Sequence, residues 1–400
     1  MVTIFDNVHG FITLDDIASS IIDTDCFQRL RNINQTGTLY FVFPSARHSR
    51  FEHSIGTYYL ANLLITNLQN KHPELNITED IIKLVSIAGL CHDLGHLSYS
   101  HLFDDCFLPK LENYEELKKK TDNIYHENRS IFLLKNMIKK NNININDDQL
   151  LVISDLIHPQ KSQYDNWNEK YKVGKWIFQI ISNPVNSIDV DKFDYLVRDA
   201  LAVGIKLIFN SSRLIQDAKI INDNIYYSKQ CSEDIYIMFF IRYRLHRIFY
   251  NHKAVKSVEI LIIKILFELE KEYKISEYIL DYEKMIELVD GFIWFGHCKN
   301  NNIQNLIKKI KNRELPKLLY EKISLSDVDI SEKINEFNNL DIEIIKFKVG
   351  YVNNNSNPLS KIKFYDKKKG IIIENSSLEN FSLLINDSFQ EYFARIYHII

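Results

Sequence analysis

The stretch LCHDLGHLSYSHLFD, from Leu90 to Asp104, places three histidines and two aspartates in a run that otherwise reads as a buried helix. Taking unpaired charge out of water is costly, so such groups persist in a core when something binds them. A metal ion is the usual partner of clustered imidazoles and carboxylates. The stretch therefore predicts a metal-binding helical protein, provided that other segments supply the remaining ligands.

The adjacent His92 and Asp93 point about 100° apart on an ideal helix, but at a helix end both can converge on one ion. Nitrogen and carboxylate ligands suit iron, manganese, zinc and similar divalent metals. A catalytic metal needs further protein ligands and an open position for water. Candidates are His53 in RFEHSIG and either Asp189 or Asp191 in IDVDKFDYLVRD.

Composition indicates a folded helical chain. Of 400 residues, 46% are hydrophobic and 12% aromatic, whereas glycine and proline number only 11 and 7, which favours helices over turn-rich sheets. A net charge of −3 gives no field for bulk nucleic-acid binding. Five scattered cysteines without a CxxC pair, no signal peptide and no membrane-length apolar run predict an intracellular protein, cytoplasmic or nuclear, with no membrane partner.

Hydrophobic periodicity predicts a mainly α fold, with a helical core, a short N-terminal hairpin around His9-Gly10 and a small mixed α/β C-terminal lobe. Thr78 is the expected N-cap of the helix that leads into Cys91. Two strands are expected at KIKFYD (361–366) and GIIIE (370–374). Predicted helices cover 14–31, 55–69, 126–139, 150–156, 190–198, 234–271 as the longest, 278–298, and 380–400 as a closing helix.

We divide the chain into a catalytic core (1–270), a helical extension (271–345) and a small α/β lobe packed on the core (346–400). This division rests on the change from long helical periods to short strand patterns.

An ordered set of motifs adds to this interpretation. FQRLRNINQTGTLYFVFPSARHSRFEHSIG, IAGLCHDLGHLSYSHLFD, YHEN, IDVDKFDYLVRD and YRLHRIFYNHK resemble the deoxynucleoside triphosphate triphosphohydrolases of the HD superfamily, in particular the animal enzymes that carry a SAM domain and an HD domain. The resemblance continues through NRELPK, NPLSKIKFYDK and FQEYFARIYH. It covers nearly the whole chain, and we expect no SAM domain ahead of this core.

The resemblance implies hydrolysis of a deoxynucleoside triphosphate, dGTP included, to the deoxynucleoside and inorganic triphosphate. It assigns the metal, which we expect to be iron, manganese, zinc or magnesium, to His53, His92, Asp93 and Asp191, with Asp191 preferred over Asp189. His96, His101, Asp104 and His126 would surround the reaction centre. We expect His101 to protonate the leaving 5′-oxygen, with Asp104 orienting it.

The remaining matched positions would bind the substrate. Arg50, Lys192, Tyr195 and Arg242 would meet the triphosphate, together with a Mg²⁺ ion. Gln35 and Asp199 would hold the sugar 3′-hydroxyl, and Tyr250 would exclude a 2′-hydroxyl. Thr36 stands where the animal enzymes have a leucine against the base.

Regulation by nucleotides is a further implication of the resemblance. Asp23, Gln28 and Arg31 match positions for a guanine, and Arg213, Lys253, Arg313 and Lys317 match positions for phosphates. Val2, Phe5, Ser228 and Gln230 depart from the family pattern, so the phosphate site is thinner. We expect a homo-oligomer, a dimer or tetramer, whose activation by GTP or a dNTP is altered.

Other interpretations stay open. The chain could be an HD phosphohydrolase for another nucleotide, or a non-catalytic homologue that binds nucleotides or single-stranded nucleic acid. A lone histidine on an apolar face is more often structural than a ligand, and we assign His9, His72, His158 and His297 in this way. Asp189 and Asp194 are expected in a buried ion network with Arg198.

Overall fold

The computed structural model describes residues 1–206, 209–294, 300–352, 355–373 and 388–399. α-Helices surround a continuous apolar core, a hairpin stands at the N-terminal end and small sheets lie toward the C-terminal end. The predicted mainly α fold with a mixed α/β lobe is confirmed. None of the described helices has the length and apolar character needed to cross a bilayer.

The N-terminal hairpin forms where the sequence predicts it. β1 (Val2–Asp6) pairs antiparallel with β2 (Gly10–Leu14), and Asp6 faces Gly10 across the turn. Gly10 has a φ of +75°, a backbone conformation that glycine adopts without steric cost. The side chain of Ile12 is buried, which fixes the hairpin against the helical body.

Helices dominate the first half of the chain. They are α1 (Asp16–Ile22), α2 (Asp25–Gln28), α3 (Arg50–Lys71), α4 (Glu79–Cys91), α5 (Tyr114–Lys120), α6 (His126–Asn141), α7 (Asp147–Ile157), α8 (Tyr164–Tyr171) and α9 (Val190–Ala202). The single helix expected over 14–31 is wrong. Two short helices stand there, because the Thr24 side chain accepts from the Phe27 N–H and starts a second one.

Local caps set the start of the two central helices. α3 begins with a reciprocal capping box between Ser49 and Glu52. α4 begins at the predicted cap, where the Thr78 hydroxyl accepts from the Ile81 N–H at 3.3 Å. These caps fix the register of both helices and therefore the positions of the histidines that they carry.

The second half mixes helices and short strands. Its elements are α10 (Ser212–Asp217), β3 (Lys219–Ile221), β4 (Asn224–Ser228), α11 (Ser232–Arg244), α12 (Lys253–Tyr273), α13 (Tyr282–Glu287), α14 (Asn301–Asn312), β5 (Lys317–Ser324), α15 (Ser331–Glu336), β6 (Ile342–Gly350), β7 (Phe364–Tyr365), β8 (Ile372–Ile373) and β9 (Gln390–His398). The predicted strands at 361–366 and 370–374 are confirmed as β7 and β8, which pair antiparallel.

Two long predicted helices are interrupted. The helix expected over 234–271 is wrong, because a π-helical segment, Leu245–Tyr250, separates α11 from α12. The His252 side chain accepts from the Ala254 N–H and starts α12 anew. The helix expected over 278–298 is also wrong in the described part of that range, where 3₁₀ turns flank the short α13. Cys298 lies outside the described residues.

The closing helix expected over 380–400 is wrong for residues 390–398, which form β9, while 380–387 and 400 lie outside the described residues. β9 is the central strand of an antiparallel sheet with the order β5-β9-β6. Phe393 faces Phe347 in register, and their rings stack at 4.8 Å. Such cross-strand packing overrides a helical pattern in the sequence. β5, in the proposed helical extension (271–345), pairs with β9 of the proposed lobe (346–400). β6 (Ile342–Gly350) spans the proposed boundary at residue 345.

We predict that replacing Gly95 with alanine destabilises the protein more than replacing Gly89. A Cβ on Gly95 would lie 2.1 Å from the His126 carbonyl oxygen, whereas a Cβ on Gly89 would lie 2.9 Å from the Thr57 carbonyl oxygen. Overpacking of this kind costs about 1–3 kcal/mol, or more where backbone must move. Urea unfolding of Gly95→Ala and Gly89→Ala measures the difference. Equal losses would contradict this account.

Candidate active site

His53, in the first turns of α3, is oriented by a carboxylate. Its Nδ1 donates to Asp194 Oδ2, on α9, at 2.7 Å. Both side chains are fully buried. Space for Asp194 exists because residue 56 is glycine, since a Cβ there would lie 1.9 Å from Asp194 Oδ1. With Nδ1 committed as a donor, Nε2 is the ring nitrogen that faces the site, where it can hold either a proton or a metal ion.

His92, which ends α4, is oriented in the same way by a backbone group. Its Nδ1 lies 2.8 Å from the Gly89 carbonyl oxygen, which can only accept. Its own carbonyl accepts from the Ser130 hydroxyl of α6 at 2.7 Å. His92 Nε2 is therefore the free ring nitrogen, and it has no hydrogen-bond partner among the described residues, as is also true of His53 Nε2.

Two carboxylates face these two nitrogens. Asp191 Oδ1 lies 3.2 Å from His53 Nε2 and 3.6 Å from His92 Nε2. Asp93 contributes Oδ2 at 3.4 Å from His53 Nε2 and Oδ1 at 3.4 Å from His92 Nε2. Ligand atoms about 2.1 Å from one cation are separated by about 3.0–3.5 Å. The four predicted ligands therefore surround one position with the spacing of a coordination shell.

The charges at this position favour a cation. Burial opposes a charged His53, but Asp191 and Asp194 raise its pKa to about 10. Burial also opposes ionisation of Asp93, yet Arg50, His92 and His96 hold the pKa of its carboxyl well below the usual range. For Asp191 the two histidines overcome burial and lower the pKa. The ionised carboxylates thus attract positive charge to the two free nitrogens.

These residues fit a divalent metal ion. Two buried, unpartnered imidazole nitrogens and two ionised carboxylates form the nitrogen and oxygen donor set that iron, manganese and zinc accept. Each histidine also makes the hydrogen bond through its other nitrogen that metal-binding histidines require. The cluster at the helix end thus has a physical reason to be buried.

A second histidine pair borders the metal position. The rings of His96 and His126 stack at 4.1 Å. His96 Nε2 lies 3.4 Å from Asp93 Oδ1, and both Nδ1 atoms face Asp104 Oδ2, at 3.6 and 3.8 Å. Burial lowers the pKa of both rings well below the usual value, with Arg50 adding to the effect at His96 and His101 at His126. Both rings are therefore neutral near pH 7.

His101 differs from this pair in its exposure and its partner. Its side chain is 64% exposed, and its Nδ1 lies 3.6 Å from Asp105 Oδ2. Desolvation opposes a charge on the ring, but Asp105 raises its pKa above the usual value. The expected pairing with Asp104 is not the one observed, because Asp104 instead binds the buried Arg129 guanidinium.

Basic and phenolic groups predicted to meet the triphosphate lie around the ligand set. Arg50 is bound to Asp93 and donates from Nε to the Ser100 hydroxyl at 2.8 Å. Lys192 pairs with Asp189 at 3.0 Å, whereas Arg198 pairs with Asp194. Of the two aspartates expected in a buried network with Arg198, the structure therefore places Asp194 there. Burial raises the pKa of Tyr195 to about 12, with Arg242 and Lys192 acting in the opposite sense.

Asp199 connects the groups predicted to hold the sugar. Tyr250 donates its hydroxyl to Asp199 Oδ2, and His48 Nε2 lies 2.6 Å from Asp199 Oδ1. Gln35 donates its N–H to the His48 carbonyl, while its side-chain oxygen is buried without a partner in the described part of the chain. An acceptor of this kind is suited to a ligand hydroxyl.

Sequence reasoning missed several residues that shape the site. Arg129 lies three residues after His126 on α6, a spacing that could have indicated a shared helix face. Asp290 holds two site loops together by accepting from the N–H groups of Asn34 and Tyr99 at 2.8 and 2.6 Å. Burial raises its pKa to about 6. His48 had a local signal, because it precedes Arg50 by two residues in the RHSRFEH motif.

The residues matched to a guanine position line a cavity beneath the hairpin. Its volume is about 350 Å³, and Asp23, Gln28 and Arg31 form part of its wall. Arg31 Nε donates to Gln28 Oε1 at 2.8 Å, and its guanidinium lies 3.5 Å from the centre of the Phe51 ring.

The basic residues matched to phosphate positions are dispersed within the chain. Arg213 of α10 pairs with Asp234 at 2.9 Å. Arg313 donates to the Phe41 carbonyl at 3.0 Å. Lys253 begins α12 and Lys317 begins β5.

Comparisons with known proteins agree with this geometry. No protein-family model matches the chain. A protein of Acanthamoeba polyphaga mimivirus that is named for its HD domain is 34% identical to this chain, over 98% of this chain and 91% of the viral protein. The deoxynucleoside triphosphate triphosphohydrolase SAMHD1 homolog of Dictyostelium discoideum is 35% identical, over 98% of this chain and 76% of that protein. Human SAMHD1 is 31% identical, over 99% of this chain and 70% of the human protein.

The chain is a protein of the HD class, as its helical core and the relative named for its HD domain show. His53, His92 and Asp93 are placed so that they could hold one metal ion. Within that class, the chain belongs to the SAMHD1 family of deoxynucleoside triphosphate triphosphohydrolases.

We predict that His92→Gln weakens Mn²⁺ binding at least about 100-fold, because it removes one nitrogen from the shell. His101→Gln is the matched control and should bind Mn²⁺ as the wild type does, since His101 lies outside the ligand set. EDTA-stripped protein is titrated with Mn²⁺, and the free ion is followed by electron paramagnetic resonance. Unchanged affinity in His92→Gln would show that the metal position is elsewhere.

Proposed function

We propose that this chain hydrolyses deoxynucleoside triphosphates, dGTP included, to the deoxynucleoside and inorganic triphosphate, and so lowers dNTP pools. The observation that carries the proposal is the pair of buried, unpartnered Nε2 atoms of His53 and His92 facing Asp93 and Asp191. The activity named for relatives over nearly the whole chain supports it. Bound at these residues, an iron, manganese, zinc or magnesium ion supplies Lewis acidity toward phosphoryl oxygens and water.

Proton donation to the departing 5′-oxygen is assigned to His101. Of the three clustered histidines, His101 has its pKa raised, while those of His96 and His126 are lowered. A proton donor must hold its proton at the working pH, so His101 suits that role. Asp104, fixed by Arg129, lies instead beside the neutral His96–His126 pair, at 3.6 and 3.8 Å from their Nδ1 atoms.

The triphosphate is assigned to Arg50, Lys192, Tyr195 and Arg242, with a Mg²⁺ ion accompanying the nucleotide. Charged donors held in a buried site stabilise developing negative charge strongly, because little water screens them. Arg50 is 2% exposed and the Lys192 side chain 17%. Their present partners, Asp93 and Asp189, keep both cations in place before substrate arrives.

Selection of deoxyribose is assigned to Tyr250, Asp199 and Gln35. The Tyr250 hydroxyl donates to Asp199, and this hydrogen bond fixes the Tyr250 ring. A ribose 2′-hydroxyl would therefore clash with the ring. The free Gln35 oxygen and the remaining lone pairs of Asp199 suit the 3′-hydroxyl.

Product analysis tests this function. We expect each dNTP, incubated with the protein and Mn²⁺ or Mg²⁺, to give deoxynucleoside and intact triphosphate on chromatography. His92→Ala and Asp93→Ala should lose at least about 1,000-fold in rate, while His72→Ala, a change at the far end of α3, should not. Monophosphate or diphosphate products would indicate a different phosphohydrolase, and no product would indicate a binding protein.

We also propose that GTP or a dNTP activates the chain by promoting a homo-oligomer. The part of the cavity wall that Asp23, Gln28 and Arg31 form offers a carboxylate, an amide and a guanidinium to a guanine nucleotide. Its phosphates would need Arg213, Lys253, Arg313 and Lys317, which stand on separate elements. A second subunit can bring such groups together.

Sedimentation velocity tests the oligomer. We expect the wild type to shift to a larger species when GTP and dATP are added, and Arg31→Ala to shift less, because it loses the Gln28 hydrogen bond and the contact with Phe51. Lys118→Ala, on the exposed surface of α5, is the control. A monomer that stays fully active with and without nucleotides would contradict the proposal.

A further inference from the structure

The turn of the N-terminal hairpin is tied to the helical core by buried charges. The Asp6 carboxylate accepts from the N–H groups of Val8 and His9, both at 2.9 Å, which fixes the turn. It also accepts from Arg198 of α9 at 2.8 and 3.2 Å. Asp6 is 6% exposed and Arg198 5%, so this ion pair lies away from solvent.

The same turn places His9 against the carboxylate that orients the metal ligand His53. His9 Nε2 donates to Asp194 Oδ1 at 2.7 Å, while Asp194 Oδ2 accepts from His53 Nδ1 at 2.7 Å. Arg198 binds Asp194 through Nε and Nη2, both at 2.8 Å. One buried carboxylate is therefore held by three donors, and only one of them comes from the hairpin.

The cluster holds two carboxylates, Asp6 and Asp194, beside one guanidinium, that of Arg198. A carboxylate behind a metal-binding histidine raises the basicity of that histidine, so Asp194 strengthens the hold of His53 Nε2 on a cation. Moving the hairpin would release the His9 donor and the Asp6–Arg198 contact together, and Asp194 would then be held by Arg198 and His53 without His9.

We propose that the N-terminal hairpin is a working part of the metal centre. His9 is a positioning residue that holds Asp194, and through it His53, so that docking of the hairpin and binding of the metal stabilise each other. This inference rests on the proposed metal-dependent function. Because coupling between two binding events is reciprocal, a molecule that displaces or fixes the hairpin also changes the affinity for the metal.

A ligand in the cavity beneath the hairpin could act on this coupling, because it would contact the hairpin. Its wall includes Val2, Ile4, Phe5 and Asp6 of β1, so an occupant would contact the strand that ends at the Asp6–Arg198 pair. Two steps, from Asp6 to Arg198 and from Arg198 to Asp194, then separate the cavity from the residue that holds His53.

Hydrogen exchange followed by mass spectrometry tests the coupling without turnover. The full chain is compared after EDTA stripping and after loading with Mn²⁺, and exchange is read in peptides that cover residues 2–14. We expect Mn²⁺ to slow exchange of the hairpin amides about tenfold or more in the wild type. This comparison needs no variant, so failure of a variant to fold does not affect it.

Variants of His9 separate positioning from simple anchoring. His9→Ala should weaken Mn²⁺ binding about 10- to 100-fold and abolish the metal-dependent slowing in residues 2–14. His9→Gln should recover part of both, because a glutamine amide can still donate to Asp194. His72→Ala is the matched control, since His72 follows α3 about 28 Å from His53 at 1.5 Å per residue and binds the exposed Glu74.

The proposal is overturned if Mn²⁺ leaves hairpin exchange unchanged in the wild type and His9→Ala binds Mn²⁺ with wild-type affinity. That result is distinguishable from failure of the proposed hydrolysis. An inactive chain whose hairpin is still protected by Mn²⁺ supports the coupling and rejects the proposed hydrolysis. An active chain whose hairpin is not protected by Mn²⁺ supports the hydrolysis and rejects the coupling.

Discussion

The buried imidazoles of His53 and His92 each use one ring nitrogen in a hydrogen bond to an oxygen, and the rest of the site depends on these two hydrogen bonds. Asp194 accepts a hydrogen bond from His53 Nδ1, and the Gly89 carbonyl accepts one from His92 Nδ1. The Nε2 atoms are thereby fixed in direction and left without partners. A core that buries ionised carboxylates beside such nitrogens is costly unless a cation offsets the charge, so the metal and the fold support each other.

Close approach of helices makes this arrangement sterically feasible. Gly56 leaves room for the Asp194 carboxylate, and Gly95 lets the turn after α4 rest against the backbone of α6. That contact positions His126 near His96, whose rings stack. Gly56 and Gly95 are needed because they have no side chain, and not for a special backbone conformation, since neither has a positive φ.

Local signals made much of the fold and site predictable from the sequence. Caps such as Thr78, the turn at Gly10 and the apolar period of α4 act within a few residues, so they can be read directly from the chain. The expected metal ligands are predictable because each lies in a distinctive motif. Their convergence is a geometric result that the motifs only implied.

Contacts between distant segments could not be read in this way. The strand β9 looks helical in isolation, and only its neighbours β5 and β6, about 50–70 residues earlier, make it a strand. The sequence predicts a structural role for His9, because nothing near it in the chain indicates its partner, Asp194, which is 185 residues away. Asp290 likewise meets Asn34 across 256 residues. His297, assigned in the same way, lies outside the described residues.

The order of strands in the β5-β9-β6 sheet has a consequence for biosynthesis. β5 and β6 leave the ribosome well before β9, yet each pairs with β9 and not with the other. Until residues 390–398 are made, both strands present unpaired edges, which are sites for wrong pairing. Arg395, which binds Glu321 and the Asn251 carbonyl, then closes the lobe onto the helical core. Completion of this sheet therefore waits until β9 has been synthesised.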